Sequence, residues 1–337
     1  MAKTIAIIGA TGTQGGSVLN ALESNPSYKL RAVTRNPSSP KALALAAKGI
    51  EVVAADLNDE ASLVQAFEGV HVIYAVTDFF EPFVREGPVK AVEIEYQQGV
   101  NLARAAAQTL TLELYIWSTL PDAKALSEGK VVVPHFEAKA KVDEFIKSDS
   151  NVKGLLKKTV FLWVTFYATN LLYAPFTPFV AKPTGKYLAV TPASLQTEIA
   201  SLGSISNVGT AVAGLVEGDV QALLASKAGT DLNSAKYVRL TTTLYTIPDY
   251  YAVWAKASGK AEDVKVLSVS FEDYEALYGE WGTEMGLMMK FWELVGSNSW
   301  QTVGENDVLV DGQELLGEAR PLVQTADAFA QISWESI

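Results

Sequence analysis

The sequence predicts an open, doubly wound parallel α/β sheet followed by a smaller α+β unit. Three observations predict it. A short β-branched run, Lys3 to Ile8, leads through a glycine-spaced turn into an amphipathic helix. Apolar runs then alternate with helical patterns from residue 3 to about residue 165, as parallel strands joined by helical crossovers require. Beyond residue 170 the composition shifts toward Pro and aromatic residues and the alternation weakens.

Composition sets the outer limits. With 337 residues, 49% of them apolar, the chain can bury a large core and has room for two domains. Its 38 acidic and 27 basic residues leave a net charge of −11, which repels nucleic acid and anionic membranes. There is no Cys, so disulfides, thiolate nucleophiles and thiolate metal sites are excluded. Two His without a ligand cluster point away from any metal site. The apolar run "IAII" is too short for a secretory leader. The 23 residues from Thr159 to Ala181 carry no charge and match a membrane span in length. Asn170, Pro175 and Pro178 within them fit a buried strand and a loop better. A soluble, cytoplasmic protein is the expectation.

Taken in order, "KTIAIIGATGTQGGSVLNALES" reads as strand, turn and helix. Gly9 permits the sharp turn, Gly12 lets the backbone approach a pyrophosphate, and Gly15 lets the helix lie close on the strand. The helix N-terminus then offers unpaired N–H groups and a positive dipole end to phosphate. The second strand, "YKLRAVTR", ends in Arg35 and carries no acid there. A carboxylate would repel a 2′-phosphate, whereas a guanidinium pairs with it, so NADP(H) is expected over NAD(H). The plain alternative for Arg35 is a solvated strand-end charge. The third strand, "GIEVVAADLND", places Asp56 at its carboxyl end, where an acceptor would meet the adenine amino group. In "VHVIYAVT" residues 75–77, Val76 and Thr77 among them, border the crevice. "VKAVEIEYQQGVNLARAAAQ" is a long helix with Val92, Tyr96, Val100 and Ala103 inward, and "LELYIWST" is a strand ending at Ser118 and Thr119.

Several of these stretches together resemble the NmrA-like family, an atypical branch of the short-chain dehydrogenase/reductases. They are "IAIIGATGTQGGSV", "AVTRNP", "VVAADLND", "NLARAAAQ" and "HFEAKAKVDEFI", continued less specifically by "FLWVTFYATNLL" and "ISNVGTAVAGLVEG". The resemblance implies an NAD(P)-binding Rossmann fold, NADP(H) and a small C-terminal substrate domain. It places the phosphate loop at Gly9 to Gly15, including Thr11, Gly12, Thr13 and Gln14. It puts the 2′-phosphate contact at Arg35 and the adenine side at Asp56 and Leu57. Lys139 would face the nicotinamide ribose. The loop closing over the nicotinamide would be Val164 to Tyr167, including Thr165, with Asn170 just beyond. Fungal members of the family include redox-sensing regulators and oxidoreductases of secondary metabolism.

One departure bears on chemistry. Sister families carry a Tyr four residues before the Lys, and here that position holds His135. A Tyr/Lys pair works because the ammonium depresses the phenol. Imidazole titrates near neutrality unaided. His135 is therefore either a proton donor or a surface residue at a helix start. Lys139 would hydrogen-bond ribose or substrate, or be a solvated helix lysine. Ser118 would orient a substrate carbonyl, or cap the next turn. His71 reads as structural.

In the second unit, "KYLAVT", "KYVRLTTT" and "VKVLSVS" read as strands, and "TIPDYYAVWAKASGK" as a helix capped by Thr246 and stopped at Gly259. "EMGLMMKFWELV" is a helix whose Met288 and Trp292 either fill core or line an apolar pocket, with Phe79, Phe80, Tyr167 and Asn170 as further wall. The expected division is residues 1–165 for the Rossmann domain, with a returning strand or helix near 197–217, and 166–337 for the substrate domain. The expected function is NADPH-dependent reduction of a carbonyl, quinone or activated C=C or C=N of an apolar metabolite. The alternatives are a non-catalytic NADP(H) sensor and a redox-neutral isomerase or cyclase. The expected partner is a small apolar molecule; a homodimer is compatible, and a protein partner follows if the chain is a regulator.

Overall fold

The computed structural model describes residues 2–217, 234–260 and 264–335, with residues 224, 226 and 262. The opening run forms β1 (Lys3–Ile8) and α1 (Thr13–Leu22). Then come β2 (Tyr28–Thr34), α2 (Pro40–Ala47), β3 (Glu51–Ala54), α3 (Glu60–Ala66) and β4 (Val72–Ala75). After these follow α4 (Phe80–Glu86), α5 (Pro88–Gln108), β5 (Leu114–Thr119), α6 (Ala123–Leu126), α7 (Pro134–Ser148) and β6 (Thr159–Val164). These six strands, all parallel, lie in the order β3-β2-β1-β4-β5-β6. The order reverses between β1 and β4, and the crevice beyond their carboxyl ends is where such sheets bind ligands. β4, β5 and β6 are buried along their whole length, which is why they read as unbroken apolar runs.

The sheet does not stop at β6, and the expected division at residue 165 needs correction. β11 (Lys236–Leu240) pairs in parallel with β6, and β14 (Val308–Asp311) with β11, giving eight strands. The reason is physical: β6, "TVFLWV", would be an exposed apolar edge, and such edges recruit a partner. Val238 lies beside Leu162 and covers it. The expected strand "KYVRLTTT" is thus two: β11 in the large sheet and β12 (Thr243–Thr246) in a small one. That small sheet has the order β12-β10-β7, with β7 (Phe166–Tyr167) and β10 (Glu198–Gly203). A third sheet, β13-β9-β8, joins β8 (Phe179–Ala181), β9 (Lys186–Thr191) and β13 (Val264–Ser268). The uncharged 159–181 segment is a buried strand, a short 3-10 helix and two short strands, β7 and β8. Among the described residues no helix is long and apolar enough to cross a membrane.

The returning segment near 197–217 also divides. β10 joins the small sheet, while α8 (Ser206–Val216) packs against α1. The two helix backbones approach closely there. A Cβ on Gly209 would lie 2.3 Å from the Ser17 carbonyl oxygen, and Ser17 Oγ donates to Ile205 O at 2.9 Å and accepts from Gly209 N at 2.8 Å. The later helices are α9 (Ile247–Ser258), α10 (Phe271–Tyr278), α11 (Glu280–Val295), α12 (Gly312–Leu316) and α13 (Thr325–Gln331). α9 begins and ends as its residues dictate: Thr246 accepts from Asp249 N, and Gly259 closes it at φ +66°. At the α1–α8 seam, Gly209→Ala should destabilise the fold by about 1–3 kcal/mol, the usual cost of overpacking, as urea denaturation would show.

Candidate functional site

A cavity of about 800 Å³ opens at the carboxyl ends of the central strands. At one end lies the glycine turn. Gly9 sits at φ +66°, where only glycine is at ease, and Gly12 N bonds back to Gly9 O at 2.8 Å. A Cβ on Gly15 would stand 2.3 Å from Gly9 O, so the helix can lie this close only without one. No side chain caps α1 and no acid occupies its first turn. The N–H groups of that turn and the positive dipole end are left facing the cavity, a donor set suited to a diphosphate. Gln14 is held from below: its Oε1 accepts from Tyr74 OH and from Ser118 Oγ, both at 2.8 Å. The Ser118 hydroxyl has therefore committed its one proton to the loop.

Arg35, Asp56 and Leu57 line another part of this cleft. Arg35 is not a free cation. Its Nη1 and Nη2 donate to Glu81 Oε1 and Oε2 at 2.7 and 2.8 Å. Asp56 Oδ1 accepts from Asn58, and Leu57 O accepts from Asn101 Nδ2 at 2.8 Å.

The middle of the cavity is governed by α7. His135, Lys139 and Asp143 recur every four residues, so they share one face, and all three are buried. Lys139 Nζ donates to Glu95 Oε1 at 2.8 Å, to Thr77 Oγ1 at 2.9 Å and to Thr77 O at 3.2 Å. Thr77 Oγ1 in turn donates to Glu95 Oε1 at 2.7 Å. An ammonium has three protons, and the protein uses all three. His135 is neither at the surface nor loose. Its Nδ1 lies 2.5 Å from Glu284 Oε1, and its backbone N–H donates to the same oxygen at 3.1 Å. A carboxylate only accepts, so Nδ1 carries the proton and Nε2 remains without a protein partner among the described residues. Asp143 accepts at Oδ1 from Thr119 Oγ1 at 2.7 Å and from Trp117 Nε1 at 2.8 Å. Burial pushes its carboxyl up to about 8, although those bonds and Lys147 oppose the change.

The far end is an aromatic chamber. Phe80 stacks on Trp281 at 5.3 Å between centroids, and Phe79 and Phe80 flank the His135 ring at 6.0 and 5.5 Å. Met285, Met288 and Trp292 of α11 are buried and line the same space. Asn170, Val76 and Thr77 line the cavity as well. Thr165 lines the cavity too, but its hydroxyl donates to Leu240 O at 2.5 Å. Burial, reinforced by Tyr173 and Asp78, pushes the Tyr167 phenol well above the ordinary range, so it is a weak acid. Among the charged residues of the lining, all but Lys139 cluster around Arg35: Asp56, Asp78, Glu81 and Arg85.

The model of the NmrA-like family matches residues 1–304. The chain belongs to the NmrA-like family. Over 177 residues, 52% of this chain and 50% of the relative, it is 32% identical to hkm9 of Aspergillus hancockii, named as an NmrA-like family domain-containing oxidoreductase. The chain spans about half the length of the curated relatives it matches, or less. Among solved structures it is similar to NmrA, a negative transcriptional regulator in complex with NAD. The identity is 18% and the TM-score 0.69, over 98% of this chain and 95% of that one. It is likewise similar to an NADPH-dependent quinone oxidoreductase of Escherichia coli complexed with NADPH, at 21% identity and TM-score 0.66, over 97% and 98%. These two likenesses show the fold.

Four acids that shape this NmrA-like site escaped the sequence reading: Glu81, Glu95, Asp143 and Glu284. Two of them left a trace. Glu95 falls three residues after Val92 on the inward stripe of α5, and Asp143 four after Lys139, so each is a charge on a buried face. Glu81 and Glu284 left none, because their partners lie 46 and 149 residues away. The raised Asp143 carboxyl has a measurable consequence. The unfolded chain releases that proton near the ordinary carboxylate range and the native chain keeps it. The contribution is thus full at low pH and lost as pH rises through about 8. Asp143→Asn keeps an acceptor without the charge. Between about pH 5 and 8 the variant should gain on wild type by up to roughly 1.4 kcal/mol for each step of one in pH, read from denaturant melts across that range.

Proposed function

We propose that this protein is an NADP(H)-dependent reductase acting on a carbonyl, quinone or activated C=C or C=N of a largely apolar metabolite. One observation carries the reading. A buried imidazole with an uncommitted Nε2 stands in the wall where the glycine-lined cleft meets the aromatic chamber. The cleft fits the nucleotide: the Gly9–Gly15 turn and the α1 N-terminus would hold the diphosphate, and Arg35 the 2′-phosphate. When bound, the nicotinamide supplies hydride.

Reduction also needs a proton, and three side chains were candidates to handle it. Ser118 donates its hydroxyl hydrogen bond to Gln14, and Lys139 donates its three to Glu95 and Thr77. His135 alone keeps an open ring nitrogen. Glu284 fixes its tautomer and orientation, so Nε2 is the atom that takes up a proton from solvent and, from the imidazolium, passes it to the substrate, returning the ring to its neutral Nδ1–H form. Lys139 then acts as a strut that joins α7, the turn after β4 and α5, not as the acid. The uncharged chamber of Phe80, Trp281, Met288 and Trp292 favours a flat apolar substrate, because none of these could compensate a buried charge. The oxidoreductase names of the relatives and the NADPH bound by the similar quinone oxidoreductase support this reading.

A second reading is a nucleotide-binding sensor without turnover. It is favoured by the full neutralisation of Lys139 and by the likeness to a transcriptional regulator. NADPH consumption against a panel of quinones and enones separates the two. The reductase shows turnover that His135→Gln lowers by about 10²–10⁴-fold, with nucleotide affinity within twofold. A sensor consumes no NADPH with any substrate, and full activity in the variant would remove His135 from the mechanism.

A further inference from the structure

We propose that Glu81 is a specificity-determining residue for the nucleotide: it competes with the adenosine 2′-phosphate for Arg35 and so narrows the preference for the phosphorylated dinucleotide. The inference rests on the reading of the cleft as an NADP(H) site.

The geometry is a fork meeting a fork. Both terminal nitrogens of Arg35 are engaged by both oxygens of Glu81, at 2.7 and 2.8 Å. Glu81 takes two of the five N–H donors, the pair at the end of the fork, so a phosphate that docks on that end must displace it. The two acceptors therefore compete for the end of the fork. Both side chains are exposed, and exposed ion pairs are weak, so the exchange is accessible.

The surroundings sharpen the competition. Asp56, at the end of β3, and Asp78, after β4, both act on the Arg35 guanidinium, and Arg85 acts on Glu81. Two cations thus face three carboxylates. A dianionic 2′-phosphate enters this cluster against a net negative field, whereas a 2′-hydroxyl brings no charge to be repelled. Arg35 alone favours the phosphate; Glu81 offsets part of that gain. Asp56 and Asp78 are partly engaged elsewhere, by Asn58 and by the Phe80 N–H. Of the three acids, Glu81 is the one that holds the donors themselves.

The test is isothermal titration calorimetry of the full chain with NADP⁺ and with NAD⁺, supplemented by adenosine 2′,5′-bisphosphate and AMP. In Glu81→Gln, and in Glu81→Ala, which removes the acceptor altogether, the Kd ratio of NAD⁺ to NADP⁺ should rise about fivefold or more. The rise should come from tighter NADP⁺ binding, with NAD⁺ within twofold. In an Arg35→Gln background the same substitutions should gain little, because nothing remains to compete for. An unchanged ratio in both variants, with both nucleotides still bound, overturns this inference and leaves the cleft reading standing. A gain undiminished by Arg35→Gln overturns the competition. Wild-type protein that binds neither nucleotide overturns both readings together.

Discussion

Everything in the site depends on one face of α7. His135, Lys139 and Asp143 point from it into the protein, and each is anchored to a different part: α11, α5 with the turn after β4, and β5. Polar groups so deeply placed are tolerable only when paired, since an unpartnered buried charge costs several kcal/mol. The pairing therefore works in both directions. The partners make the stripe admissible, and the stripe fixes where the partners stand. Close packing of the helices supports this: a Cβ on Gly99 of α5 would come within 2.4 Å of Val142 on α7.

The three residues answer to one geometry but end with distinct chemistry. Lys139 is fully engaged, Asp143 lies behind the sheet end and braces Trp117 and Thr119, and only His135 keeps an open nitrogen toward the cavity. The Lys139 ammonium also lies 5.5 Å from the centre of the Trp117 ring, whose N–H Asp143 holds. Lys139 and Asp143 are thus joined through Trp117, while the His135–Glu284 pair stands apart from them and keeps Nε2 open among the described residues.

Much of this was readable in the chain and some was not, for identifiable reasons. The glycine turn was readable because each glycine answers a steric demand: Gly9 a positive φ, Gly15 a helix laid directly on Gly9 O. Strands β4, β5 and β6 were readable because full burial leaves an apolar run with no alternative use. The continuation of the sheet was not. β11 carries Lys236 and Arg239 and reads as a half-exposed strand; that it pairs with β6 is decided by what β6 lacks. The acids were the hardest. A Glu in an apolar helix is ambiguous until its partner is known, and the partner of Glu284 arrives from the other end of the chain. His135 could be singled out by its spacing to Lys139, but its surface alternative could be dismissed only by the fold.

The placement of Glu284 has an evolutionary implication. It shares α11 with Met285, Met288 and Trp292, so a single helix both steadies the imidazole and shapes the chamber. The glycine-lined half of the cavity is built by other segments. Drift at those chamber positions can therefore reshape the walls while the carboxylate that holds the His135 ring stays in register.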